Sequence, residues 1–448
     1  MRSPLAELLS LAGPTIAQMA SYTLMQFIDT WMLAHYGNNA ADGLAPTAAS
    51  NAGIFSFSLI SLGFGVLLIV NTLASQCYGK KEYAACGRYL WQGIWFALLY
   101  SVLMLPIIPF SLRIFQAFGH GPQLAGMESS YLKIMLACTV LKLVQTTFGQ
   151  FMLAIDRPKA VMISTIVGVS SNAVAAYILI YGKFGFKPMG VVGSALGQNI
   201  GVLIEMLLLV ALCLASSARK KYELRHFQFR WREFKILLGV GVPVGLQFAA
   251  DVMAWTLFCV WVMAPFGELA MAANSYVFRY YSVSFMPAYG ISSAVTALVG
   301  RYIGRGKPDI AVARANLGFK ITLLYMFTCG VFFFFARHQL LHLFTDNPEI
   351  LRIGSQLLIV AALYQFLDAL YIIYNGALRG AGDTFVPALV TIVLCYGMTV
   401  MGGRYVARHF PQLGPTGPWS ASLVYGLLLG GFMSYRFSRG GWKKIKLV

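Results

Sequence analysis

Twelve runs of predominantly apolar residues fill most of this 448-residue chain, at 9–34, 44–76, 89–112, 125–153, 159–182, 188–216, 234–264, 271–300, 315–336, 350–378, 385–407 and 417–436. No other feature restricts the fold so severely. A helix needs roughly 20 such residues to cross the hydrocarbon core of a bilayer, and each run reaches that length. The runs are continuous, unlike the alternating segments of about 10 residues that mark an outer-membrane barrel. Composition agrees, with 58% of residues hydrophobic and only 11% charged, against about 25% charged in ordinary soluble domains. Gly and Pro occur inside several runs, as at Gly13-Pro14, Pro106 and Pro287, which spanning helices tolerate better than soluble ones. The expectation is an all-α integral membrane protein with twelve transmembrane helices, spans 1 to 12 in chain order.

The net charge of +18 invites a nucleic-acid partner, but its distribution excludes one. The amino terminus, the even-numbered loops and the carboxy-terminal tail hold 23 of the 34 Lys and Arg residues, from Arg2 through Lys80, Lys81, Arg157 and Arg305 to Arg436 and Lys446. The odd-numbered loops hold 7, among them Arg113, Lys183 and Arg352. Basic residues concentrate on the cytoplasmic side of spanning proteins. Both termini are therefore expected in the cytoplasm, in a multi-pass protein of the inner cell membrane with some affinity for anionic lipid. Span 1 has no small-residue cleavage site near its end and reads as an uncleaved helix. The seven Cys form no CxxC pair and read as small buried hydrophobes.

A basic stretch at 217–235 divides the chain near its middle, and the two sides repeat one another. Leu-x4-Pro-x3-Gln occurs at Leu9–Gln18 and at Leu238–Gln247. Tyr36-Gly37 matches Phe266-Gly267, Gly79-Lys80 matches Gly304-Arg305, Asp156 matches Asp383, and Pro188-Met189-Gly190 matches Pro415-Thr416-Gly417, all at offsets of 225 to 230. The expected domains are an amino-terminal six-helix lobe (1–216), a basic cytoplasmic linker (217–235) and a carboxy-terminal six-helix lobe with its tail (236–448). Six is even, so the halves form a parallel repeat about a pseudo-twofold axis along the membrane normal. That plan is familiar in transporters that place substrate between the halves and alternate access by rocking.

Three acids lie well inside apolar runs: Asp29 in span 1, Asp251 in span 7 and Asp368 in span 10, with Glu205 in span 6 as a fourth, weaker case. A charge at a helix centre costs roughly 2.5–3.5 kcal/mol on insertion scales, so such residues mark functional sites by default. In low dielectric a carboxylate holds a proton at physiological pH, or with neighbouring oxygens a hard cation such as Na+. Either way it can exchange one positive ligand for another, the minimal device for antiport. Tyr364, Tyr371, Tyr374, Tyr22 and Trp255 stand near these acids in sequence and would favour large organic cations through cation–π contacts. Lys133 and Lys320 read as snorkelling, while Arg279 in span 8 leaves open whether Asp251 meets a cation or an arginine.

Span 10 and its exit read Tyr364-Gln365-Phe366-Leu367-Asp368-Ala369, then Gly376-Ala377-Leu378-Arg379-Gly380-Ala381-Gly382-Asp383-Thr384. Span 1 reads Pro14, Gln18, Phe27-Ile28-Asp29-Thr30, and span 8 carries Met286-Pro287 and Gly290-Ile291-Ser292-Ser293-Ala294. Together these resemble the MATE multidrug and toxic compound extrusion transporters of the NorM-like branch, over nearly the whole chain. The resemblance implies a MATE-like fold, coupling-cation binding at Asp368 and Asp251 (as Na+ ligands if sodium drives transport), and a proton-linked role for Asp29. It implies a substrate and cation pocket that includes Tyr364, Gln365, Trp255 and Asn172. Two departures stand out. Asp251 occupies a position where those members usually carry Glu, and its register shifts by one residue when counted back from Ala264-Pro265. Ala176 replaces the second of two span-5 asparagines.

The expected function is a cation-coupled antiporter, driven by Na+ or H+, that exports amphipathic and often cationic compounds. Its partners are membrane lipid and small organic cations, no cofactor is expected, and the protein reads as a monomer. A flippase for lipid-linked oligosaccharides of the same superfamily is the nearest alternative, and a solute channel a further one. An enzyme is not expected. The sequence has no HExxH, GxSxG or Walker loop, and His338 and His342 lack the intervening Glu of a zincin.

Overall fold

A computed structural model of the chain describes residues 3–36, 44–214, 218–445 and 447. Arg2, Gly37, Ser217 and Lys446, which enter the charge count, the repeat and the linker, lie outside the described residues.

The apolar runs fold as helices, one per run. Span 1 is Pro4–Ala34, span 2 Ala45–Lys80, span 3 Tyr83–Ala117, span 5 Pro158–Tyr181 and span 6 Gly190–Leu214. Span 4 consists of Pro122–Ala137 and Thr139–Ala154, bent by 47° at Cys138. Span 7 is Trp231–Phe266, span 8 Glu268–Gly304, span 9 Pro308–Phe335, span 10 Pro348–Ala381, span 11 Phe385–His409 and span 12 Thr416–Arg439. Among the described residues, nine of these are long and apolar enough to cross a membrane alone, and the bent pair makes ten. Spans 1 and 12 are long enough, at 31 and 24 residues, but dilute their apolar content with Ser, Thr and Gly. Prolines open spans 4, 5, 9 and 10 within the first helical turn, where a missing N–H costs nothing. Spans 7 and 11 loosen into π turns at Phe258–Val262 and Cys395–Gly402, a distortion common beside functional sites.

The described chain forms two compact units. One comprises Met1–Ile16 with Leu246–Val448, the other Ala17–Gly245. The division cuts spans 1 and 7, in each case two residues beyond a proline, Pro14 or Pro243. Ile16 and Gly245 are equivalent positions of the sequence repeat. Each unit is thus completed by the first part of a helix whose remainder belongs to the other unit.

The borrowed segments are held in matching ways. In the first unit, Glu7 of span 1 accepts hydrogen bonds from Arg314 Nε at 2.7 Å and from Tyr302 Oη at 2.8 Å. Thr15 Oγ1 donates to the Gly290 carbonyl at 2.9 Å. In the second unit, Glu233 of span 7 lies 3.2 Å from Arg88 Nε. Glu7 and Glu233 stand at the same offset as Arg88 and Arg314, so one ion pair is built twice. Glycine permits both close approaches. A Cβ at Gly290 would meet the span 1 backbone at 3.0 Å, and one at Gly245 would meet the Leu62 carbonyl at 2.6 Å.

The basic linker is bound to span 3 within the second unit. The Gln92 amide reads its backbone, donating to the Gln228 carbonyl at 3.0 Å and accepting from Arg230 N–H at 3.1 Å. Phe227 stacks on Trp95 with centroids 4.7 Å apart. Spans 8 and 10 of the first unit bury 72% and 61% of their most apolar window, whereas spans 7 and 9 bury only 28%. All seven cysteines are free, and all are buried or half-buried.

Candidate functional site

Each unit contains a polar cluster in an otherwise apolar interior. In the first, Asp368 is buried near the middle of span 10, and its Oδ2 accepts from Tyr281 Oη of span 8 at 2.7 Å. Residues three or four apart on a helix share a face, so Tyr364 and Tyr371 flank Asp368. Tyr371 Oη donates to Asp251 Oδ2 of span 7 at 2.8 Å. It also receives the Gln247 amide at 3.3 Å, and that amide donates to Thr391 Oγ1 at 2.9 Å. Each acid thus has its own tyrosine donor, and span 10 brings the two together, carrying Asp368 itself and, one turn on, the Tyr371 that reaches Asp251.

Aromatic rings enclose this pair. Trp255, one turn beyond Asp251, lies 6.0 Å from the Tyr364 ring and 6.1 Å from the Tyr281 ring, and Tyr281 lies 5.8 Å from Tyr364. Trp419 fixes the back of the box, donating Nε1–H to Asn274 Oδ1 at 3.0 Å. Gln365 donates to Ser284 Oγ at 2.6 Å. Arg279 forms no ion pair with Asp251 among the described residues. Arg379 and Asp383 of the span 10 exit serve elsewhere. Asp383 takes a bidentate ion pair from Arg436 at 2.8 and 2.9 Å, and Arg379 reaches Thr296 Oγ1 at 3.3 Å.

The second unit holds Asp29 and Asn172. The Asn172 amide donates to both Asp29 oxygens, at 3.1 and 3.3 Å. The placement of Asn172 follows from a row of small residues. Gly193, Gly197 and Gly201 of span 6 face span 5 so closely that a Cβ at any of them would fall 2.7 Å from a span 5 atom. Such rows let membrane helices meet backbone to backbone. Gly201 rests on Asn172 and Gly197 on Ala176, so the position of the departure lies in the same helix contact as Asn172. Tyr131 stands beside Asp29 and donates to Gln198 Oε1 at 2.9 Å.

Three of the residues singled out from sequence each present a buried oxygen without a hydrogen bond of ordinary geometry: Asp251 Oδ1, Gln365 Oε1 and Asn172 Oδ1. Buried acceptors are nearly always satisfied; a small cation could satisfy any of these oxygens, and a proton only the carboxylate of Asp251. Among the described residues no three His, Cys, Asp or Glu side chains gather as a metal-holding group. Any Na+ would have to draw hydroxyl, amide or carbonyl oxygens to the carboxylates. Sequence reasoning passed over Tyr281. Its partner Asp368 is distant in sequence, and the only local signal was an aromatic pair, Tyr280-Tyr281, in a chain rich in aromatics.

The chain matches the MatE family over residues 14–178 and 243–403. It is similar to the probable multidrug resistance protein NorM of Thermotoga maritima, with 27% identity over 98% of this chain and 93% of that protein. It is similar also to the multidrug resistance protein MdtK of Yersinia pseudotuberculosis, with 28% identity over 93% of this chain and 91% of that protein. Among solved structures, a multidrug resistance MATE family transporter in its outward-facing conformation superposes with a TM-score of 0.89 at 18% identity, covering 99% of this chain and 98% of the other. A eukaryotic MATE transporter superposes with a TM-score of 0.86 at 19% identity, over 98% of this chain and 97% of the other.

Proposed function

The chain belongs to the MatE family of membrane transporters, and on that premise we propose that it exports amphipathic, often cationic organic compounds in exchange for an inward-moving Na+ or H+, by alternating access. The observation that carries this reading is a pair of buried acids each held by a tyrosine, Asp368 by Tyr281 and Asp251 by Tyr371, beside the packed rings of Trp255, Tyr281 and Tyr364. A buried carboxylate favours a positive guest, and the rings favour a large one. Two acids gathered at one helix need not both be charged. A coupling cation and a substrate cation then stabilise opposite states of the same groups, and exchange follows. Asp29, held by Asn172 in the other unit, provides a second acid of the same kind.

The names of the NorM and MdtK relatives support multidrug export, and the alternation of basic loops supports cytoplasmic termini in the inner membrane. The protein acts as a monomer in this reading. The acidic character of both clusters favours cationic substrates over the anionic lipid-linked sugars that a flippase would carry. The test is dye efflux from cells expressing Asp368→Asn. Ion-driven efflux should be abolished while the variant reaches the membrane in normal amount. Normal efflux would remove Asp368 from the mechanism.

A further inference from the structure

A second built acid lies in the Ala17–Gly245 unit, and no step above uses it. Glu205 of span 6 is buried, and three donors converge on its Oε1: Tyr22 Oη at 2.8 Å, Gln145 Nε2 at 2.8 Å and Thr165 Oγ1 at 2.6 Å. Such donors suit an ionised carboxylate. Gly168 makes the space, since a Cβ there would lie 2.8 Å from Glu205 Cβ. The compensating charge is Lys142 of span 4. Its Nζ sits 4.6 Å from the Tyr22 ring centroid and close enough to Glu205 for the charges to interact, yet no ion pair joins them among the described residues. Glu205 is buried, and Tyr22 and Lys142 are half-buried. The lysine therefore lies on a ring face of Tyr22, near the carboxylate and less buried than it.

This is the arrangement that recognises an organic cation, here filled by a side chain on a flexible four-carbon stem that water can readily solvate. The cluster also shares its helices with the Asp29 pair. Tyr22 precedes Asp29 by seven residues and Thr165 precedes Asn172 by seven, which is two turns, or about 10 Å, along the same helix faces. We propose that Glu205 and Tyr22 form a second recognition site for a substrate cation, occupied in the unloaded protein by the tethered ammonium of Lys142, which withdraws when the substrate's cation takes its place. The inference rests on the reading of the protein as an exporter of organic cations.

The test is equilibrium binding of tetraphenylphosphonium and of an uncharged dye to the purified full-length protein. Lys142→Met should bind the phosphonium about tenfold more tightly and the uncharged dye unchanged, because only a competing charge has been removed. Glu205→Gln should bind the phosphonium about tenfold more weakly, and adding it to Lys142→Met should cancel the gain. Lys142→Gln keeps a polar chain that can bond Glu205. It should show the same tightening should Lys142→Met fail to fold. Phosphonium affinity unchanged in a folded Lys142 variant, or both ligands shifted together, would overturn the proposal, since a merely structural lysine would not discriminate by charge. A wild-type protein that binds no phosphonium would overturn the export reading itself. Wild-type binding with transport lost in Asp368→Asn, but no effect at Lys142, would overturn this inference alone.

Discussion

At the scale of single residues, two tyrosine hydroxyls each hold one carboxylate. Tyr281 binds Asp368 and Tyr371 binds Asp251, at 2.7 and 2.8 Å. Tyr281→Phe keeps the ring in the aromatic box and removes only the donor. A hydrogen bond to a charged group contributes about 1.5–3 kcal/mol. The variant should therefore fold and reach the membrane normally, while the coupling-ion concentration at half-maximal efflux shifts by about tenfold or more. An unshifted ion dependence would mean that Asp368 does not meet the coupling ion through this network. The acids themselves were legible in the sequence, because a charge inside an apolar run is costly wherever the fold puts it. Their partners were not. Tyr281, Gln145 and Thr165 are ordinary residues of membrane helices until distant spans bring them to a carboxylate. Arg279, a candidate partner for Asp251 from its depth in span 8, forms no ion pair with it among the described residues.

At the scale of elements, the row of glycines on span 6 fixes the depth and direction of Asn172. Gly197→Val would place atoms within 2.7 to 2.8 Å of the Ala176 backbone and methyl group. Neither helix can yield there without moving, so a loss of about 1–3 kcal/mol is expected, as overpacked sites show. Gly149→Ala, where nothing lies within 4 Å, should be neutral or slightly stabilising because alanine favours the helix. Thermal unfolding of the two purified variants checks the contrast, and equal effects would show that the close contact does not matter. The existence of each helix was plain from its apolar run, even for spans 1 and 12, whose hydropathy is weaker. The π turns of spans 7 and 11 were hidden, since a local change of winding leaves no trace in apolarity.

At the scale of the whole molecule, the repeat seen in the sequence is expressed as an exchange of half-helices. The chain passes between the two units inside spans 1 and 7, after Ile16 and Gly245, and apolar content cannot say which helices a half-span packs against. Each unit needs the start of a helix from the other half, held by a repeated Glu–Arg pair. A fragment ending at residue 216 lacks the start of span 7. It should be degraded when expressed alone and recovered when residues 217–448 are co-expressed, as measured by its amount in the membrane. Full stability of the lone fragment would contradict the exchange. Buried acids that trade one positive guest for another should reveal themselves in proteoliposomes. With the protein reconstituted and a cationic dye inside, an imposed inward gradient of Na+ or of H+ should drive dye out. External dye should accelerate that exit by counterflow, and Asp368→Asn should abolish both effects. Dye movement at the same rate without any gradient, and without acceleration by external dye, would contradict the account.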